Sequence, residues 1–137
     1  MENKIKYAKS QAFFTIYFDS DFEPSIISRL IGVNPKKIVL KKNAEVTSSN
    51  PKGLGFFQIA TNVAEDKVSE AAVSTILRPF IKKEEQINKL IQDNKGYCQL
   101  DLFIKQTKNS VFPDITLSKN ALKLLASLNA QYKVIIL

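Results

Sequence analysis

YCQLDLFIK (residues 97–105) alternates without a break, with Cys98, Leu100, Leu102 and Ile104 on one side and Gln99, Asp101, Phe103 and Lys105 on the other. A period of two sustained over this length fits a strand with one buried face and does not fit a helix. Gly96 separates it from a stretch of different rhythm. From Asp66 onward Ala72, Val73, Ile76, Leu77, Phe80, Ile81, Ile87, Leu90 and Ile91 recur at steps of three and four, the spacing of one helical face. Pro79 lacks a backbone donor and disfavours helix at Arg78, so the pattern predicts either two helices, 66–78 and 80–94, or one helix sharply kinked.

Toward the amino terminus, AFFTIYF (12–18) is β-branched and aromatic on both alternations, which predicts a strand covered on both faces or lying centrally in a sheet. After DSDFEP, Pro24 can open a short helix, SIISRLI, whose stripe is Ile26, Ile27, Leu30 and Ile31 and which stops at Gly32. KIVLKK (37–42) reads as a half-exposed strand with Ile38 and Leu40 on one face and Val39 and Lys41 on the other. NAEVTSSNPKG is aperiodic and rich in turn residues, hence a loop whose order the sequence leaves open, and GFFQIAT (55–61) returns as a strand.

Beyond 105, a loop through NSVFPD brings Ser118 to the N-cap of a last helix with the face Ala121, Leu122, Leu125 and Leu128, and QYKVIIL (131–137) ends as a strand. The predicted order is β-α-β-β-α(α)-β-α-β. This is an α+β fold: a ferredoxin-like core with an added helix and strand, and a mixed or mainly antiparallel five-stranded sheet. Right-handed crossovers place the helices on one face. Residues 12–137 form one domain behind a flexible N-terminal segment, 1–11.

In this order the chain resembles the family known as domain of unknown function 4279, small stand-alone bacterial proteins. The resemblance rests on FFTIYF, LIGVNP, the glycine before GFFQIAT, the helical break at LRPFIKK, the strand LDLFIK, and PDITLSKNALKLLASLNA before the final strand. It covers roughly residues 12 to 137. It implies an α+β fold and brings no catalytic or ligand residues. It also leads us to expect most variation between members in the 43–53 loop.

Several chemistries drop out on composition. With no histidine, the Ser-His and Cys-His nucleophile pairs and most transition-metal sites are removed. Asp19, Asp21 and Glu23 alternate as in a calcium loop, but the sixth position from Asp19 is Pro24 and the twelfth is Leu30, where glycine and a bidentate glutamate are needed. These acids are expected instead to favour the positive end of the following helix. Cys98 falls on the buried alternation and is expected to serve as a small hydrophobe. KGLGFF precedes a strand and lacks phosphate-loop spacing. No cofactor and no metal is expected.

No apolar run approaches the roughly 20 residues that span a bilayer, and MENKIKYAKSQ lacks the apolar core of a secretory signal. With a single cysteine, a reducing cytoplasm is expected.

The formal charge is +7, yet of 20 cations only Arg29 and Arg78 are arginine, the residue whose planar fork suits phosphate and base edges. The lysines concentrate in PKKIVLKKNAEVTSSNPKG (35–53), at positions 36, 37, 41, 42 and 52. Lysines beside a half-exposed strand are a common guard against edge-to-edge aggregation. Beyond that role, the cluster and the missing catalytic equipment lead us to expect a non-enzymatic cytoplasmic interaction module. It would be an adaptor or an immunity-type protein that binds another protein, with Lys36, Lys37, Lys41, Lys42 and Lys52 at the recognition surface.

The alternative is a non-specific nucleic-acid binder using the same lysines plus exposed aromatics. For Phe13, Phe14, Phe18, Phe56, Phe57 and Phe103, core packing is the expected fate, with Phe103 facing outward. A homodimer through 37–42 or 131–137 is physically reasonable.

Overall fold

The computed structural model describes residues 5–137. Its centre is a pair of ten-residue strands, β1 (Lys9–Phe18) and β4 (Gly96–Lys105), antiparallel and in register from Lys9 opposite Lys105 to Phe18 opposite Gly96. Around them the chain builds β2 (Lys37–Val39), β3 (Gly55–Ala60) and β5 (Gln131–Ile136) into one mixed sheet of order β2-β3-β1-β4-β5. β3 lies antiparallel to both β1 and β2, and β5 runs parallel to β4. The fold is α+β.

The helices are α1 (Pro24–Ile31), α2 (Glu70–Leu77), α3 (Glu84–Asp93) and α4 (Lys119–Ser127). One core joins Ile27 and Ile31 of α1, Val73 and Ile76 of α2, Ile87 of α3 and Leu124 and Leu125 of α4 to the even-numbered residues from Ala12 to Phe18 of β1 and from Cys98 to Ile104 of β4. Cys98, Leu100, Leu102 and Ile104 are fully buried, as their alternation requires. The helices thus cover one face of the sheet. Local chemistry agrees at their ends: Pro24 starts α1, Gly32 closes it at φ 68°, and the Ser118 hydroxyl accepts a hydrogen bond from the Ala121 N–H at 3.1 Å.

Several sequence expectations need correction. β1 begins at Lys9, three residues before the expected start, because Ser10 exchanges backbone hydrogen bonds with Ala64. Ala8 donates to the Val111 carbonyl and Val111 donates to that of Lys6. The segment expected to be flexible is therefore paired from Lys6 onward, and residues 1–4 lie outside the described residues. The helical region divides more sharply than its periodicity suggested. α2 runs into a 3-10 turn over Arg78–Phe80, Lys82 adopts φ 63°, and α3 starts afresh at Glu84. Ile81 is left 54% exposed in that break, and Ile26 and Leu122 also face solvent, each one position off its helix's buried stripe.

The largest departure is in KIVLKK, where the strand ends at Val39 and Lys41–Asn43 form a 3-10 turn. The chain there crosses directly over Gly55: a Cβ on that glycine would sit 2.7 Å from the Lys41 nitrogen and 2.9 Å from the Val39 oxygen. Two of the acids set aside as calcium ligands hold this turn. Asp19 pairs with the Lys41 ammonium at 3.4 Å, and Asp21 accepts from the Lys42 N–H at 3.1 Å. They act on this turn rather than as charges at the start of α1.

The loop after the turn is also organised. The Asn50 side chain donates to the Leu54 carbonyl at 2.8 Å and accepts from its N–H at 3.0 Å, while Thr47 and Asn50 exchange backbone bonds. Gly55→Ala is expected to lower unfolding stability by about 1–3 kcal/mol in urea titration, the range for forcing atoms into an occupied space. Unchanged stability would contradict the close crossing at Val39–Lys41.

Candidate functional site: the uncovered face of the sheet

With every helix among the described residues on one side, the alternate residues of the strands are left on the other, and there the registers can be read as rows. Val39, Phe56, Tyr17 and Tyr97 form one row across β2, β3, β1 and β4. Lys37, Gln58, Thr15, Gln99 and Gln131 form the next, followed by Ala60, Phe13, Asp101 and Lys133, and then by Gln11, Phe103 and Ile135.

The rings lean on one another. Tyr17 and Tyr97 stack with centroids 5.0 Å apart, Tyr17 meets Phe56 at 5.9 Å, and Phe13 meets Phe103 edge-on at 5.2 Å. These are favourable aromatic geometries, and they leave Phe13, Tyr17, Phe56 and Phe103 half-buried and Tyr97 exposed. Phe14, Phe18 and Phe57 are in the core as expected. Phe13 and Phe56, expected there too, belong to the open face, where Phe103 joins them.

Between the aromatic rows runs a polar one in which Gln58 donates to the Thr15 hydroxyl at 3.0 Å. Gln99 reaches across to the next row and donates to the Asp101 carboxylate at 2.8 Å. Thr15 and Asp101 are buried by these neighbours although no helix among the described residues lies above them. Partial burial raises the phenol pKa of Tyr17 above its ordinary value, with further contributions from Tyr97 and the Asp101 carboxylate. That of Tyr97 rises from burial and then Asp101. The centre of the face therefore holds one carboxylate among neutral rings and amides.

The five candidate lysines do not form one surface of uniform character. Lys36 and Lys37 join the open face, their ammonium groups 4.8 Å from the Phe13 centroid and 5.7 Å from that of Phe56, in cation–π range. Lys41 is occupied structurally. Besides Asp19 it donates to the carbonyls of Gly53 at 3.0 Å and Lys52 at 3.4 Å, tying the start of the 43–53 loop to its end. Lys42 and Lys52 are exposed beside that tie.

The loop in turn borders a recess of about 270 Å³ with Lys37, Val39 and Phe56 on its strand side and Asn43, Thr47 and Asn50 on its loop side. Lys9, Lys105 and Lys133, outside the candidate cluster, share the open face by register. Their signal in the sequence was the outward alternation of 97–105, extended through the pairing to β1 and β5.

The family described as domain of unknown function (DUF4279) matches residues 6–137, nearly the whole chain. The chain belongs to the DUF4279 family. No curated protein and no solved structure matches it significantly. DUF4279 membership is thus consistent with the expected resemblance and assigns no site, so the open face stands on its own geometry.

On the helical side of this DUF4279 protein, Cys98 is buried in the core, where desolvation pushes its thiol pKa up to about 12. No helix among the described residues is long and apolar enough to cross a membrane. The Lys41 tie separates structural from available lysines. Lys41→Ala is expected to cost about 1 kcal/mol and to speed amide exchange through 43–53, whereas Lys52→Ala stays within about 0.5 kcal/mol. Equal effects in denaturant titration would contradict the assignment.

Proposed function

We propose that this protein is a non-enzymatic cytoplasmic interaction module, an adaptor or an immunity-type protein, that binds another protein through the uncovered face of its sheet. The observation that carries this reading is the gathering of Phe13, Tyr17, Phe56, Tyr97 and Phe103 on the face that no helix among the described residues covers, with lysines around them. Tyrosine and phenylalanine supply large contact area at small entropic cost and are enriched where proteins meet. A rim of Lys9, Lys36, Lys37, Lys105 and Lys133 would steer an acidic partner toward that centre. Lys42 and Lys52 extend the basic rim beyond the turn.

A second reading, single-stranded nucleic acid, has support from the same combination of rings and cations. It is the weaker one because Arg29 and Arg78 both belong to the helical layer, the Asp101 carboxylate sits among the rings, and Lys36 and Lys37 already lie over two ring faces that bases would need.

The two readings separate in one experiment. Tagged wild-type protein, a Lys37→Glu/Phe56→Ala variant and an Arg29→Glu control on the helical side are used for affinity capture, and each is titrated with a labelled single strand across a salt series. A protein captured by the wild type and the control but reduced at least about tenfold with the open-face variant is the expected result. Capture indifferent to the open-face variant contradicts the assignment. Tight single-strand binding that weakens steeply with salt and is lost in that variant would replace it with the nucleic-acid reading.

A further inference from the structure

The two edges of the sheet are built differently. β2 is three residues long, follows Pro35 and Lys36, itself begins with Lys37, and is succeeded after Leu40 by Lys41, Lys42 and the loop that borders it. Short length, charge and proline are the devices that keep an edge from pairing with another strand. β5 is neither short nor interrupted by proline, and it carries a single charge. It is six residues long, its register with β4 is continuous from Gln131 to Ile136, it contains one lysine, and it ends in Ile136 and Leu137, 61% and 66% exposed.

The backbone of β5 also has a defined outward set. Leu137 donates to the Ile104 carbonyl at 2.9 Å. Groups alternate along a strand, so 133, 135 and 137 turn their N–H and C=O toward β4, while Tyr132, Val134 and Ile136 present theirs at an edge that is unpaired among the described residues.

From this we infer that β5 is a self-association edge, pairing antiparallel with β5 of a second copy about a two-fold axis through Val134. Hydrogen bonding admits this register, and charge favours it over the neighbouring one centred on Lys133. An axis at Val134 places the outward groups of Tyr132, Val134 and Ile136 opposite those of Ile136, Val134 and Tyr132 of the second copy, so each outward N–H meets a carbonyl. On the helical side it sets exposed Ile136 against Tyr132, itself 37% exposed. On the open face it sets Lys133 against Ile135. An axis one residue earlier would place Lys133 directly against its own copy in a close, non-hydrogen-bonded pair, which like charge disfavours.

The two-fold is perpendicular to the sheet, so both uncovered faces look the same way and join across Lys133 and Ile135. This dimer does not depend on what the open face binds.

The register makes a signed test possible. Sedimentation velocity over a dilution series is run on the wild type, Ile135→Glu, Ile135→Lys and Ile136→Pro, with circular dichroism confirming that each is folded. The wild type is expected to dimerise reversibly. Because Ile135 meets Lys133 twice by symmetry, the glutamate variant is expected to associate at least about tenfold more tightly than the lysine variant. Ile136→Pro removes two outward donors per dimer at an exposed position and is expected to be a folded monomer.

A wild type that stays monomeric up to about 1 mM overturns the proposal. So does a dimer equally weakened by both charges, or one that the proline leaves intact.

Discussion

Everything in this structure depends on the ten-residue pairing of β1 with β4. Both strands are long, they are in register along their whole length, and their inward residues are apolar at every step from Ala12 to Phe18 and from Cys98 to Ile104. A two-stranded ribbon cannot persist alone, and its inward side is closed by four short helices that pack into a single core. Each helix is eight to ten residues long, too short to be stable in isolation, so the helices draw their order from that contact. The remaining strands are added to the ribbon's two sides, and this decides where the sheet has edges.

Placing all the helices on one side leaves the other side to be stabilised from within the sheet. The rings stack on one another, amides bridge to Thr15 and Asp101, and two lysines fold over Phe13 and Phe56. Such a face keeps its side chains ordered while leaving them half open. A surface that is preorganised and incompletely covered loses less entropy when a partner closes it, which is why the aromatic face rather than the lysine run is the better candidate for recognition.

Much of the fold was legible because it rests on local periodicity. The alternation of 97–105, the N-cap Ser118 and the stop at Gly32 were each sufficient alone. The misjudged helix positions share one cause: Ile26, Ile81 and Leu122 are apolar residues whose exposure is decided by helix rotation and by the break at Lys82, which composition does not encode. The open face was half legible. One-sided crossovers already required a bare face, but the apolar residues on both alternations of 12–18 suggested two covers, and the second is supplied by neighbouring rings. The division of the lysines was not legible, since the tie from Lys41 to Asp19 and to the carbonyls of Lys52 and Gly53 needs the crossing over Gly55.

The central claim, that one face of this sheet is bare and aromatic, is tested most directly by the relaxation that a soluble paramagnetic probe induces in assigned aromatic protons. Adjacent residues provide the comparison, because Phe56 and Phe57 differ only in the face they occupy. Strong relaxation of Phe56, Tyr97 and Phe103 with little effect on Phe14, Phe18 and Phe57 is the expected result. Equal protection of Phe56 and Phe57 would mean that the face is covered, and the account of the site would be wrong.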